Sequence, residues 1–148
     1  MKKIKRKIHV IGVNSFKIDD LSLEVQKLFH KVNNIAAPCT YINEIKSWVL
    51  MKLIEDKNFY ESKSNLDLIK WLKFVDNDVI LLSRGDPLWF GIGRMLLKNF
   101  HKDELLFYPE KTSLQLAFSR LKKPWQNVKS VSIPVSYTHL TLPTSCCV

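Results

Sequence analysis

Glycine and cysteine are scarce in this chain, which has 4 glycines and 3 cysteines among 148 residues. Cys39 stands alone, and Cys146 and Cys147 are adjacent. The cysteines therefore match neither the paired framework of a small secreted domain nor the spacing of a zinc site. No apolar run reaches the ~18 residues that a membrane-spanning helix needs. These absences exclude a disulfide-rich scaffold, and they predict no membrane partner and no metal site.

The N-terminal sequence does not predict a secretory signal. Residues 1–7 resemble the basic region of a signal peptide, but the apolar stretch behind them covers only residues 8–13. No small-residue cleavage site follows it. We therefore expect a cytoplasmic protein.

The C-terminal segment differs from the rest of the chain. Residues 135–148 carry no charged side chain, whereas 25% of the whole chain is charged. Residues 135–144 resemble the in-frame translation of a transposon-end adapter used in sequencing libraries. We expect that the natural sequence is cut near Pro134 and that residues 135–148 are a non-native tail, which fold reasoning leaves out. The alternative is a natural polar terminal strand.

Basic residues outnumber acidic ones by 23 to 14, which gives a formal net charge of +9. The hydrophobic fraction of 46% is typical of a globular domain, so the charge points to an anionic partner. The basic run over residues 2–7 could bind nucleic-acid phosphates, or it could be a solvated terminus. Because no aromatic residues interleave with a basic stripe, we predict no nucleic-acid partner. A non-catalytic nucleic-acid-binding module stays the alternative of a different class.

Strand and helix patterns alternate along the chain. The patterns predict strands over residues 7–13, 35–37, 78–83, 105–108 and 128–133. They predict helices over residues 21–29, 42–54, 64–75, 94–100 and 113–121. The continuous apolar run after Asp78 is typical of a strand buried on both faces of a parallel sheet. We therefore predict an α/β fold, with an open, largely parallel sheet and helices on both faces.

Two turns after predicted strands are candidate ligand sites, because ligands bind beyond the carboxyl ends of strands in such sheets. The first turn, residues 12–16, has one glycine and lacks both G-x-G-x-x-G and the Walker A pattern, which argues against a dinucleotide or ATP site. The second turn contains Gly85, Asp86 and Pro87. Gly85 allows positive φ or close backbone approach. Asp86 and Pro87 suit the start of the next helix, so a well-capped turn is the simpler interpretation.

Gly91 and Gly93 indicate that this segment is more than a capped turn. Both fall near the predicted helix over residues 94–100, and each glycine inside a helix costs ~1 kcal/mol relative to alanine. Their presence predicts close packing against a ligand or against another part of the backbone.

The segment over residues 83–94, Ser-Arg-Gly-Asp-Pro-Leu-Trp-Phe-Gly-Ile-Gly-Arg, resembles the Gly-Asp-Pro loop of tetrapyrrole methylases, the class III S-adenosylmethionine (SAM) methyltransferases. Residues 113–121, followed by Pro124 and Trp125, are similar to the precorrin-6Y (cobalt-precorrin-7) C5-methyltransferase branch, either CbiE or the N-terminal half of the bifunctional CobL. The resemblance runs over residues 8–133 and is strongest after Asp78.

The resemblance implies two α/β domains with SAM in the cleft between them, and a homo-oligomer when the protein is full length. The first domain would cover residues 1–103, and residues 104–134 would begin the second. The cofactor contacts carried over by position are Arg84, Gly85, Asp86, Trp89, Thr112 and Ser113. No catalytic side chain and no metal is implied. Asn14 and Ser15 depart from the glycine-rich first loop of the family, and Glu110 stands where its loop after the next strand has glycine.

The function implied is SAM-dependent C-methylation of a corrin-ring precursor of the precorrin-6 type in cobalamin biosynthesis, at C5 and in some members also at C15. A basic cleft would attract the acetate and propionate groups of such a substrate. The same fold could instead methylate another substrate, such as RNA or diphthine. Because the chain would stop early in the second domain, it is expected to show no turnover by itself.

Overall fold

A single parallel sheet forms the centre of the computed structural model, which describes residues 6–130. Its strands lie in the order β3-β2-β4-β1-β5, and every neighbouring pair is parallel. The strands are β1 (Ile8–Val13), β2 (Asn34–Ala36), β3 (Asn58–Tyr60), β4 (Val79–Arg84) and β5 (Leu105–Tyr108). The helices are α1 (Leu23–Lys31), α2 (Cys39–Leu50), α3 (Asn65–Phe74), α4 (Gly93–Asn99) and α5 (Ser113–Leu121). The predicted α/β class with a parallel sheet is confirmed.

Helices cover both faces of the sheet, because alternate residues of each strand point to opposite sides. On one face, Ile11 and Ile80 pack with α1 and α2, where the rings of Phe29 and Trp48 meet edge to face with centroids 5.3 Å apart. On the other face, strand residues pack with Leu72 of α3 and Leu96 of α4. The two central strands, β1 and β4, are therefore buried from both sides, as their apolar sequences predict.

Several element boundaries differ from the prediction. Helix α2 ends at Leu50, earlier than residue 54, because the chain turns at Lys52, whose φ is +59°. Strand β3 and the two short 3-10 helices, Ile18–Asp20 and Lys102–Glu104, were not predicted. Residues 128–130 of the predicted last strand are not in a strand.

Some predictions fall outside the described residues: the rest of the last strand, the tail over residues 135–148, and the basic residues 2–5. Within residues 6–130, none of the helices combines the length and apolar character of a membrane span. The same part of the chain holds no group of acidic, histidine or cysteine side chains arranged to bind a metal ion.

The sheet continues past the predicted domain boundary at residue 103. Strand β5 pairs with β1 in parallel, with Ile8 opposite Leu105 and Ile11 opposite Tyr108. The loop after β5 therefore begins at the same edge of the sheet as the loops after β1 and β4. This arrangement brings residues on both sides of the predicted boundary into one site.

Buried His9 on β1 makes stability depend on pH. Its Nδ1 lies 3.0 Å from the hydroxyl oxygen of Tyr108, and its Nε2 lies 3.8 Å from a carboxylate oxygen of Asp78. Burial lowers the pKa of His9 below the ordinary 6.5, and Asp78 opposes only part of this shift. The unfolded chain then binds the proton more tightly than the folded one. Stability from this group is therefore complete above pH 6.5 and falls as the pH drops below it.

Urea unfolding at pH 7.5 and at pH 5.5 measures this effect. We expect a smaller free energy of unfolding at pH 5.5, and we expect the difference to shrink in the variant His9→Gln. An equal difference in both proteins would contradict the assignment to His9.

Candidate functional site

A cleft opens at the carboxyl edge of the sheet, where the loops after β1, β4 and β5 meet. The loops after β1 and β4 start side by side because Val13, at the end of β1, lies opposite Arg84, at the end of β4. The cleft has a volume of about 430 Å³. Its walls are formed by Asn14, Arg84, Gly85, Asp86, Trp89, Phe90, Thr112, Ser113 and Leu116. The structure thus brings all six sequence-predicted contact residues to one cavity.

Gly85 forms the bend between β4 and the cleft. Its φ of +65° lies in the left-handed region that favours glycine, in line with the prediction. Its backbone N–H donates to the carbonyl oxygen of Val13, with 3.3 Å between nitrogen and oxygen. The bend is therefore tied to the end of β1, and Gly85 itself lines the cavity.

Asp86 does not cap α4, so that prediction is wrong. Helix α4 begins only at Gly93, and the residues between form an irregular turn. The Asp86 carboxylate instead accepts a hydrogen bond from the backbone N–H of Leu88 at 2.9 Å, and its carbonyl accepts one from Trp89 at 3.2 Å. Pro87 is fully buried in this turn rather than in the first turn of α4. Asp86 and Pro87 together fix the shape of the loop.

The glycines at 91 and 93 pack against the backbone of this loop, which is one of the two predicted alternatives. A Cβ atom on Gly91 would lie 2.8 Å from the carbonyl oxygen of Pro87, and one on Gly93 would lie 2.6 Å from it. The N–H of Gly93 also donates to that oxygen at 2.8 Å. The close approach therefore holds the start of α4 against the loop after β4.

Asn14 links two loops of the cleft, a role that the sequence analysis missed. Its side-chain amide donates to the carbonyl oxygen of Lys111 at 2.7 Å. This bond joins the loop after β1 to the loop after β5. In the sequence, Asn14 is notable only as a departure from a glycine-rich loop. The pairing of β1 with β5 brings the loop after β5 within reach of Asn14 and so gives its side chain a partner.

Thr112 is buried and begins α5. Its hydroxyl accepts from the N–H of Gln115 at 3.2 Å, and the Gln115 side chain accepts from the N–H of Thr112 at 2.8 Å. This reciprocal pair is a capping box, which satisfies two backbone donors at the start of the helix. The exposed Ser113 lies next to it on the cleft wall.

We expect Thr112→Ala to lower the free energy of unfolding by about 1 kcal/mol, because the helix loses its N-terminal cap. Thr112→Ser should retain most of the stability. The matched control is Ser113→Ala, which changes a neighbouring hydroxyl on the same cleft wall outside the cap. Urea denaturation compares the variants, and equal losses for both alanine variants would contradict the assignment.

Two aromatic side chains form one side of the cleft. The rings of Trp89 and Phe90 meet edge to face, with centroids 4.9 Å apart and planes at 69°. Trp89 is half-buried, whereas Phe90 is 57% exposed and has a φ of +50°. Trp89 is one of the residues predicted from the sequence, whereas Phe90 is not, because the conformation of Phe90 depends on the fold of the loop.

The cleft also carries a positive charge at its rim. Arg84, at the end of β4, is exposed, and its guanidinium forms no ion pair or side-chain hydrogen bond within residues 6–130. The charge of Arg84 also acts on Tyr41. Burial raises the pKa of the Tyr41 hydroxyl, and the positive charge of Arg84 opposes that rise. The one acidic side chain of the cleft, Asp86, is engaged in the loop itself. An anionic group at the rim would therefore meet an uncompensated cation.

Solved proteins with a similar fold include a methyltransferase and a protein related to cobalamin synthesis. The methyltransferase CobJ superimposes with a TM-score of 0.60 at 19% identity, over 80% of this chain and 52% of CobJ. A protein from Corynebacterium diphtheriae described as cobalamin synthesis related (CobF) gives 0.56 at 14% identity, over 86% of this chain and 62% of that protein. This chain thus spans between half and two thirds of their lengths. No protein-family model matches the sequence, and no curated protein sequence matches it.

Proposed function

We propose that this chain contains the first α/β domain and the cofactor loops of a SAM-dependent methyltransferase that acts on a corrin-ring precursor in cobalamin biosynthesis. The observation that carries the proposal is the cleft itself. Six residues chosen from the sequence come from two separate loops, and all of them line one cavity at the carboxyl edge of the sheet. The fold likeness to CobJ and CobF supports the same class.

The residues of the cleft fit an adenosyl sulfonium cofactor. The volume of about 430 Å³ is within the usual range for a small-molecule site. Gly85 lines the cavity without a side chain to fill it, Trp89 offers an aromatic wall, and Thr112 and Ser113 supply polar groups on the opposite side. SAM held by these residues would supply an electrophilic methyl group.

The chain's own contribution is alignment rather than proton transfer. Methyl transfer needs the nucleophilic carbon of the substrate, the methyl group and the sulfur in line. A site that holds the reactants rigidly in this geometry therefore contributes most of the rate enhancement. The hydrogen bonds of Asp86 within the loop, the bond from Asn14 to Lys111 and the Thr112 cap provide that rigidity. Asp86 accordingly holds the loop instead of acting as a base.

The substrate within this class is proposed to be of the precorrin-6 type, methylated at C5 and in some members also at C15. The support is the resemblance over residues 83–94 and 113–121, together with the net charge of +9. The exposed Arg84 at the rim suits the carboxylate groups of such a macrocycle.

Calorimetric titration with S-adenosylhomocysteine tests the cofactor site. We expect the chain to bind it, and we expect Trp89→Ala to weaken binding at least tenfold, through loss of the aromatic wall. The matched control is Trp125→Ala, which removes an exposed tryptophan outside the cleft and should leave affinity unchanged.

A parallel titration with single-stranded RNA addresses the alternative of a different class. A folded chain that binds RNA in a salt-sensitive way and does not bind S-adenosylhomocysteine would overturn the proposed function.

A further inference from the structure

Phe90 has an unusual backbone conformation for its position. Three residues other than glycine in the described range have positive φ: Lys52, Phe90 and Lys122. Lys52 and Lys122 follow the C-termini of α2 and α5, where the left-handed conformation is common. Phe90 follows no helix. A bulky residue in this region of the backbone map is uncommon, and such residues concentrate at functional sites.

The loop holds Phe90 in place through contacts on both sides. Before it, the N–H of Trp89 donates to the carbonyl oxygen of Asp86 at 3.2 Å. After it, Gly91 lies against the carbonyl oxygen of Pro87, and Pro87 is fully buried. These contacts fix the backbone on both sides of Phe90.

The ring of Phe90 consequently lies in the open on the cleft wall. It is 57% exposed, and its contact with the half-buried Trp89 is edge to face. The hydrophobic effect opposes such exposure, and the left-handed backbone adds a local cost. Because Phe90 lines the cavity, its exposed side chain is accessible to a ligand in the cleft.

We propose that Phe90 is a substrate-binding residue whose ring packs against the face of the methyl acceptor's macrocycle. This inference rests on the proposed function and deepens it, since it assigns the acceptor side of the cleft to Phe90. An aromatic side chain buries a large apolar area when it packs against such a face. The carboxylates of the acceptor would then extend toward Arg84, on the same cavity.

Quenching of tryptophan fluorescence by uroporphyrin I, a planar tetrapyrrole polycarboxylate, measures binding of the ring system without the cofactor. We expect Phe90→Leu to weaken uroporphyrin binding about tenfold, because leucine keeps apolar bulk but has no ring face. The variant Phe90→Tyr, which keeps an aromatic ring, should bind uroporphyrin with an affinity within about twofold of the original. The matched control is Phe74→Leu, since Phe74 is 83% exposed on α3 and does not line the cleft.

Two further measurements distinguish a direct loss of binding from a change in the folded structure of the Phe90→Leu variant. The melting temperature of Phe90→Leu should stay within about 2 °C of the original, and its affinity for S-adenosylhomocysteine should change less than about twofold. Unchanged uroporphyrin binding in Phe90→Leu, or no uroporphyrin binding by the original chain, would overturn the inference. Uroporphyrin binding that depends on Phe90 in a folded chain that does not bind S-adenosylhomocysteine would support the role of Phe90 and overturn the proposed cofactor.

Discussion

Alanine at position 12 is expected to lower the free energy of unfolding by about 3 kcal/mol, a large effect for one methyl group. A Cβ atom there would overlap the carbonyl oxygen of Gly85 and lie 2.7 Å from the Cβ atom of Glu110. Gly12 belongs to β1, which is paired on both sides, so the backbone has little freedom to move away. Gly12→Ala should therefore push apart the loops after β4 and β5 and also weaken binding of S-adenosylhomocysteine.

The informative comparison for this variant is Gly85→Ala. A Cβ atom on Gly85 would have the carbonyl oxygen of Lys111 at 3.7 Å as its nearest contact, which is an ordinary distance. Its cost of about 1 kcal/mol would come from the positive φ alone. Urea denaturation of both variants distinguishes the two causes. A loss for Gly12→Ala no larger than for Gly85→Ala would contradict the close approach of the loops.

Phe29→Ala is expected to cost about 3–5 kcal/mol of stability, which is the usual range for deleting a buried ring. Phe29 is 1% exposed, and it fills the space between α1 and the sheet against the ring of Trp48. The cavity left behind would be lined by large residues of several elements, which cannot all move inward.

Phe74→Ala provides the control for that experiment. Phe74 lies at the end of α3 and is 83% exposed, so its removal should change stability by no more than about 0.5 kcal/mol. Chemical denaturation followed by far-ultraviolet circular dichroism measures both. Similar losses for the two variants would contradict the packing of α1 on the sheet.

The elements predicted most accurately have strong local signals. Strand β5 and α5 have the predicted bounds, since a short apolar run and a Thr-x-x-Gln cap define them within a few residues. Serine caps also begin α1 and α3, where the side chain of Ser22 accepts from the N–H of Val25 and that of Ser64 accepts from the N–H of Asp67. These features depend on neighbours in the sequence, which is why the sequence predicts them.

Features that depend on distant partners were missed. Strand β3 has three residues and no alternating pattern, and it exists because Asn58 pairs beside Asn34 at the sheet edge. Asp86 was expected to cap a helix, but the turn before α4 is longer than the motif suggests. The bond from Asn14 to Lys111 and the conformation of Phe90 likewise follow from how three loops pack. The sequence therefore predicted which loops form the cleft, and the structure was needed for their internal contacts.

The weak anchoring of α5 has a consequence for the energetics of the cleft. No residue of this helix is buried, whereas the loop after β4 rests on a fully buried proline. Elements with few buried contacts open locally at a small free-energy cost. Amide protons of α5 should therefore exchange with solvent faster than those of β4, and a ligand that bridges the two sides should slow this exchange. The conformational-entropy cost of ordering α5 would lower the net affinity of any such ligand.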